Sequence, residues 1–236
     1  MAILRRRKNE ADDPDHDDPG TAPAGEDETG DDARTVGATQ PRSGGPWDVS
    51  ERETEDDPSY VDLGALRVRG RPGMEVRLQS DADDDRIAAA LIVTEDSALE
   101  LRVFAGPKSA GQWDVVRADL VEEVGRLEGA QEEAEGPFGT ELRIRIPVTL
   151  DDGQEGFQPS RIVGIDGPRW MLRATFLGRS ALEPSDDDVL IDTLRDVVVV
   201  RGAEAMLPRE ALLLTPPETA IVPGAEPDAG PDGGSE

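Results

Sequence analysis

The sequence predicts an α+β fold: an antiparallel sheet of short strands, two amphipathic helices packed on one face of it, and long disordered acidic tails. Three observations carry this expectation. Apolar and charged residues alternate through much of 66–177, which is the period of a strand. The period lengthens to three and four residues in two places, 112–127 and 185–200, which is the period of a helix. Apolar periodicity disappears before about residue 59 and after about residue 215, where Asp, Glu, Pro, Gly and Ala dominate.

The tails follow from that composition. "EADDPDHDDPGTAPAGEDETGDDAR" holds too little apolar surface to offset the entropy of ordering it, and "PPETAIVPGAEPDAGPDGGSE" has no basic residue at all. The expected organisation is a disordered tail over 1–58, one α+β domain over 59–215, and a second disordered tail over 216–236. A domain of that length buries about two-thirds of its unfolded surface, enough for one core.

Within the domain, Leu66 and Val68 alternate with Arg67 and Arg69, and Val76 and Leu78 with Glu75 and Arg77. The intervening "RPG" is turn chemistry, so a hairpin is expected here. "IAAALIVTED" and "ALELRVFAG" read as two further strands. Trp113, Val116, Leu120, Val124 and Leu127 then mark the first helix, with Ser109 in "GPKSAG" a candidate cap. "EGAQEEAEGPFG" reads as a polar connection. "TELRIRIPVTL" is a strand with Leu142, Ile144 and Ile146 on one side. "RIVGIDGPRWMLRATFLGR" reads as a hairpin, 161–165 and 169–177, around an Asp-Gly-Pro turn. Trp170, Leu172, Ala174 and Phe176 fall on its buried side, leaving Met171, Arg173, Thr175 and Leu177 to face out. "SDDDVLIDTLRDVVVV" gives the second helix, its acidic start suited to a helix N-terminus. "LPREALLLTPP" closes the domain as an extended segment.

Composition excludes several chemistries. There is no cysteine, so disulfides, thiolate metal sites and a cysteine nucleophile are absent. The one histidine, His16, lies in the acidic tail, which removes Ser-His-Asp and Cys-His catalysis from the domain. No phosphate-cradling glycine loop has the required spacing. "DADDDR" and "SDDDV" have oxygen ligands but no calcium-loop pattern. No catalytic residue, metal ligand or cofactor is therefore assigned. A net charge of -27 repels phosphate and anionic lipid at long range. No run reaches the ~20 apolar residues of a membrane span, and the start lacks the order of a secretory signal; the cytoplasm is the expected location.

Strand alternation leaves arginines opposite the core. If both helices cover the apolar side, the other side carries Arg67, Arg69, Arg77, Arg102, Arg143, Arg145 and Arg173, with Arg169 and Met171 at the hairpin as further contacts. The expected domain holds one lysine, Lys108, against seventeen arginines. Guanidinium groups match carboxylate and phosphate bidentately. The bland alternative is a solvated face in which these arginines pair across strands with Glu75, Glu100 and Glu141.

"GPFGTELRIRIPV", "GIDGPRWMLRATFLGRSAL" and "LRDVVVVRGAEAMLPREALLLTPP", behind an acidic N-terminal stretch, resemble an uncharacterised actinobacterial family, a domain of unknown function. The resemblance spans the whole domain. It implies a cytoplasmic protein without assigned activity, often encoded near a dUTPase and a small OB-fold protein, and it assigns no residue a role. The expected function is a non-enzymatic binding or adaptor module that contacts a protein partner through its arginine face and the 164–179 hairpin. A nucleic-acid or nucleotide binder is the alternative, and a magnesium-dependent carboxylate hydrolase the third.

Overall fold

Two β-sheets pack over one shared core in the computed structural model, which describes residues 44–81, 86–107, 111–149 and 153–217. All of these lie in the unit Thr35–Glu236; the unit Met1–Arg34 lies outside the described residues. The smaller sheet is built from β1 (Trp47–Asp48), β2 (Tyr60–Asp62), β3 (Leu66–Arg69) and β11 (Val198–Val199), in the order β1-β11-β3-β2. The larger holds β4 (Glu75–Ser80), β5 (Ile87–Val93), β6 (Ser97–Ala105), β7 (Ala130–Gly136), β8 (Gly139–Thr149), β9 (Glu155–Gly167) and β10 (Trp170–Gly178). Its order is β4-β5-β6-β10-β9-β8-β7, and every neighbouring pair is antiparallel. Three helices complete the fold: α1 (Gln112–Arg126), α2 (Arg179–Leu182) and α3 (Val189–Asp196).

The mainly antiparallel sheet with few helices agrees with the expected class. The placement of the helices does not. Leu99, Leu101 and Val103 of β6 and Leu172, Ala174 and Phe176 of β10 share a core with Leu66 and Val68 of β3 and Leu190, Ile191 and Leu194 of α3. Trp113 and Val124 of α1 instead pack with Leu142 and Ile144 of β8, Ile162 of β9 and Met171 of β10. Successive strand residues point to opposite faces, so Met171 and Leu172 lie on opposite sides of the sheet. The large sheet is therefore covered by the small sheet with α3 on one face and by α1 over part of the other.

Three local readings also change. β3 and β4 do not pair as a hairpin: β3 joins β2 and β11, while β4 is an edge of the large sheet. The "polar connection" contains β7, an edge strand paired along its length with β8. The second helix ends at Asp196, after which Val198 and Val199 become a strand parallel to β1. That pairing makes Trp47 and Asp48 part of the fold, and the buried Asp48 accepts the Trp170 indole N–H at 2.8 Å. The domain thus begins before residue 59.

The hairpin does more than turn. Asp166, just before its turn, accepts the backbone N–H of Gly111 at 3.0 Å and that of Trp113 at 3.3 Å, capping the N-terminus of α1 from another element. The expected cap, Ser109, lies outside the described residues. Gly164 lies under α1, where a Cβ would collide with the Trp113 ring. The indole in turn donates to the Thr140 carbonyl at 2.8 Å.

One surface pair ties the β10 end to the β5–β6 turn. Asp96 Oδ2 accepts from Arg179 Nε at 2.6 Å, and Oδ1 accepts from the Ser97 hydroxyl at 3.0 Å. The Arg179 bond first, and the Ser97 bond second, hold the Asp96 carboxyl below its ordinary value. A lowered folded value contributes stability above the unfolded pKa of about 4, and that contribution is lost as pH falls through the folded value. Asp96→Asn is therefore expected to flatten the acid limb of the melting-temperature profile below about pH 4, with no change near neutrality in its slope. An unchanged acid limb would mean that the pair adds nothing.

Candidate functional site

A carboxylate two residues before an arginine recurs on three strands. Residues i and i+2 of a strand share a face, so each pair can close along its own strand. Arg77 donates to Glu75 through Nε and Nη2 at 2.9 and 2.8 Å. Arg102 Nε donates to Glu100 at 3.0 Å. Arg143 Nε donates to Glu141 at 3.0 Å. The anticipated partners are right, but these pairs run along strands and not across them.

The seven expected arginines do not share a face. Arg67 and Arg69 belong to the small sheet, where Arg67 pairs with Asp62 at 2.9 Å. Arg69 joins Arg52 and Arg71 around a single acceptor, Asp196, at 3.4, 2.9 and 2.7 Å. Arg77, Arg102 and Arg173 lie on the α1 side of the large sheet, on its β4-β5-β6-β10 half. Arg143 and Arg145 lie on the opposite side. The cause is register: Leu101 is opposite Ala174 and faces the small sheet, whereas Leu142 is opposite Ile162 and faces α1. The same Glu-Leu-Arg text in β6 and β8 therefore presents its charges to opposite sides. The hairpin contacts separate too. Arg169 is exposed at the turn with a φ of 63°, while Met171 is buried under α1 and is no surface contact.

Two of the Glu-x-Arg units gain a second guanidinium from the facing strand. In the first, Arg173 stands directly opposite Arg102. Its Nη2 is 3.7 Å from Glu100, and its guanidinium lies over the Phe104 ring at 5.6 Å. Burial pulls the Arg173 guanidinium below its ordinary value, with Glu100 opposing the shift. Its Nε is buried without a hydrogen-bond partner. Around this unit lie Leu91 and Val93 of β5 and Thr175 and Leu177 of β10, all half-buried and part of neither core. α1 sits over β7, β8 and β9 and reaches Met171 and Phe104, while Leu91, Val93 and Leu177 beyond it stay partly exposed.

In the second unit, Arg161 stands opposite Arg143. Its Nε donates to Glu141 at 2.7 Å, and the side chains of Arg161 and Glu141 are 2% and 1% exposed. The guanidinium covers the Phe176 ring at 4.7 Å. Arg161 was absent from the sequence-based set. The signal was present: in "RIVGI" it shares the parity of the buried Val163 and Ile165, which places an arginine in core register.

Of the acidic loops, "DADDDR" falls largely outside the described residues. In "SDDDV", Asp188 caps α3 by accepting the Leu190 N–H at 2.9 Å. Among the described residues, no group of three or more His, Asp or Glu side chains is arranged to hold a metal. No described helix is long and apolar enough to cross a membrane.

A family model described as a protein of unknown function (DUF3710) matches residues 45–222, which takes in every described strand and helix. No curated protein matches the chain.

Proposed function

This chain belongs to the DUF3710 family, and we propose that it is a non-enzymatic binding module that docks an acidic, partly apolar segment of a protein partner on the open half of its large sheet. The observation that supports this reading is the Arg102–Glu100–Arg173 unit. Two guanidiniums share one carboxylate there, so one positive charge is left over, and it is set among half-buried Leu91, Val93 and Leu177. A carboxylate on the partner would balance that charge, while its apolar neighbours would cover the strip. The interface needs no cofactor and no reacting group.

Nucleic acid fits this surface less well. Single-strand readers stack bases on exposed aromatic rings, whereas the ring at this unit, Phe104, is half-buried with the Arg173 guanidinium over it. The test is fluorescence anisotropy of a labelled peptide of alternating Glu and Leu, titrated with the full chain. Salt-sensitive binding that weakens about tenfold in Arg102→Gln is expected. Equal affinity for the variant, or no binding by the wild type, would overturn the reading.

A further inference from the structure

On the far side of the sheet from that surface, the Arg161–Glu141–Arg143 unit forms the floor of a cleft of about 420 Å³. Pro137, Pro184, Ser185 and Asp186 stand around it. Gly136 keeps it open against the floor, because a Cβ there would collide with the Glu141 carboxylate. Both carboxylate oxygens of Glu141 are already used from within, Oε2 by Arg161 and Oε1 by Arg143. Among the described residues, Nε supplies the one hydrogen bond that Arg161 makes, and Nη1 is buried with no partner.

Charged groups are rarely taken out of water without full pairing, because an unmet donor loses its hydration with nothing in return. Here two guanidiniums share one carboxylate on the cleft floor, one of them 98% buried, and among the described residues neither pairs with the exposed Glu135 or Asp186. We infer that this cleft is a binding site for a carboxylate, held by the half-exposed Arg143 and the edge of the Arg161 guanidinium that lines the cleft. A single negative charge completes the pairing, two guanidiniums to two carboxylates. Glu135 and Asp186 also line the cleft. Their charges select against phosphate and other multiply charged anions, which they repel more strongly than a single carboxylate. The volume falls in the range of small-ligand sites. This site lies on the opposite sheet face from the docking surface above and does not rest on it.

Isothermal titration calorimetry of the full chain tests the site, with propionate, inorganic phosphate and a short peptide with a free C-terminal carboxylate as three separate probes. Binding of propionate that weakens at least about tenfold in Arg143→Gln supports a free carboxylic acid as ligand. Binding of the peptide alone, weakened by the same variant and lost on amidation of its C-terminus, supports a carboxylate carried by a peptide. Arg161→Lys, which keeps the charge and loses the fork, should weaken either probe as well; Arg143→Gln carries the test if that buried variant does not fold. Absence of binding for both carboxylates, phosphate binding as tightly as propionate, or equal affinities for wild type and Arg143→Gln would overturn the proposal.

Discussion

Glu141→Leu is expected to destabilise the domain by about 3–5 kcal/mol, the usual consequence of breaking a buried ion pair by removing one partner. The leucine fits the space, but it strands Arg161 with 2% of its side chain exposed and no carboxylate to receive Nε. Arg143 is 39% exposed and can turn to water, so it adds little to the loss. Replacing both charges, Glu141→Leu with Arg161→Met, should restore most of the stability, because apolar residues of similar volume often substitute for a buried pair without loss. Urea unfolding of the wild type and both variants checks this. A single variant within about 1 kcal/mol of wild type would mean that the pair is not desolvated as described. The same comparison separates stability from binding: the double variant folds but keeps only Arg143 of the two guanidiniums in its cleft.

Phe176→Ala should cost about 3–5 kcal/mol, the range for emptying an aromatic site in a closed core. Phe176 is fully buried, opposite Leu99 on β6 and Arg161 on β9. Its ring is both core filler and the platform under the Arg161 guanidinium at 4.7 Å. Phe176→Leu keeps most of the volume and loses the platform, so a smaller loss, under about 2 kcal/mol, is expected. Similar large losses for both variants would show that the stacking carries more than the packing. Small losses for both would contradict the burial. Denaturant midpoints at constant slope give the comparison directly.

Much of this core was legible from alternation alone. The sides assigned to Leu99, Leu101 and Val103, to Leu142 and Ile144, and to Trp170 through Phe176 all hold within their own strands. Alternation separates two sides of one strand, but it does not say which side of the sheet each becomes. That depends on cross-strand register, and register places the Glu-Leu-Arg of β6 and that of β8 on opposite faces. A sheet with α1 over part of one side and a second sheet on the other offers no single exposed face to which charges can be assigned. β7 escaped notice for a different reason. "AQEEAEG" is an edge strand exposed on most of its residues, so it has no buried side to leave a pattern, and its hydrogen bonds to β8 alone make it a strand. The "RPG" turn was read correctly as a turn, but local chemistry does not reveal that the chain changes sheets there. Arg161 was hidden by the habit of placing arginine on the solvent side; its parity with Val163 and Ile165 was the available clue.

The central claim is that the leftover positive charge of the Arg102–Glu100–Arg173 unit is a docking point. Its most direct measurement is an NMR titration that follows the arginine Nε–Hε resonances of the full chain as the acidic Glu/Leu peptide is added. Arg102 and Arg173 are expected to move together and saturably, while Arg67 and Arg69, held by Asp62 and Asp196 in the other sheet, stay in place. Movement at Arg67 and Arg69 without change at Arg102 and Arg173 would contradict it.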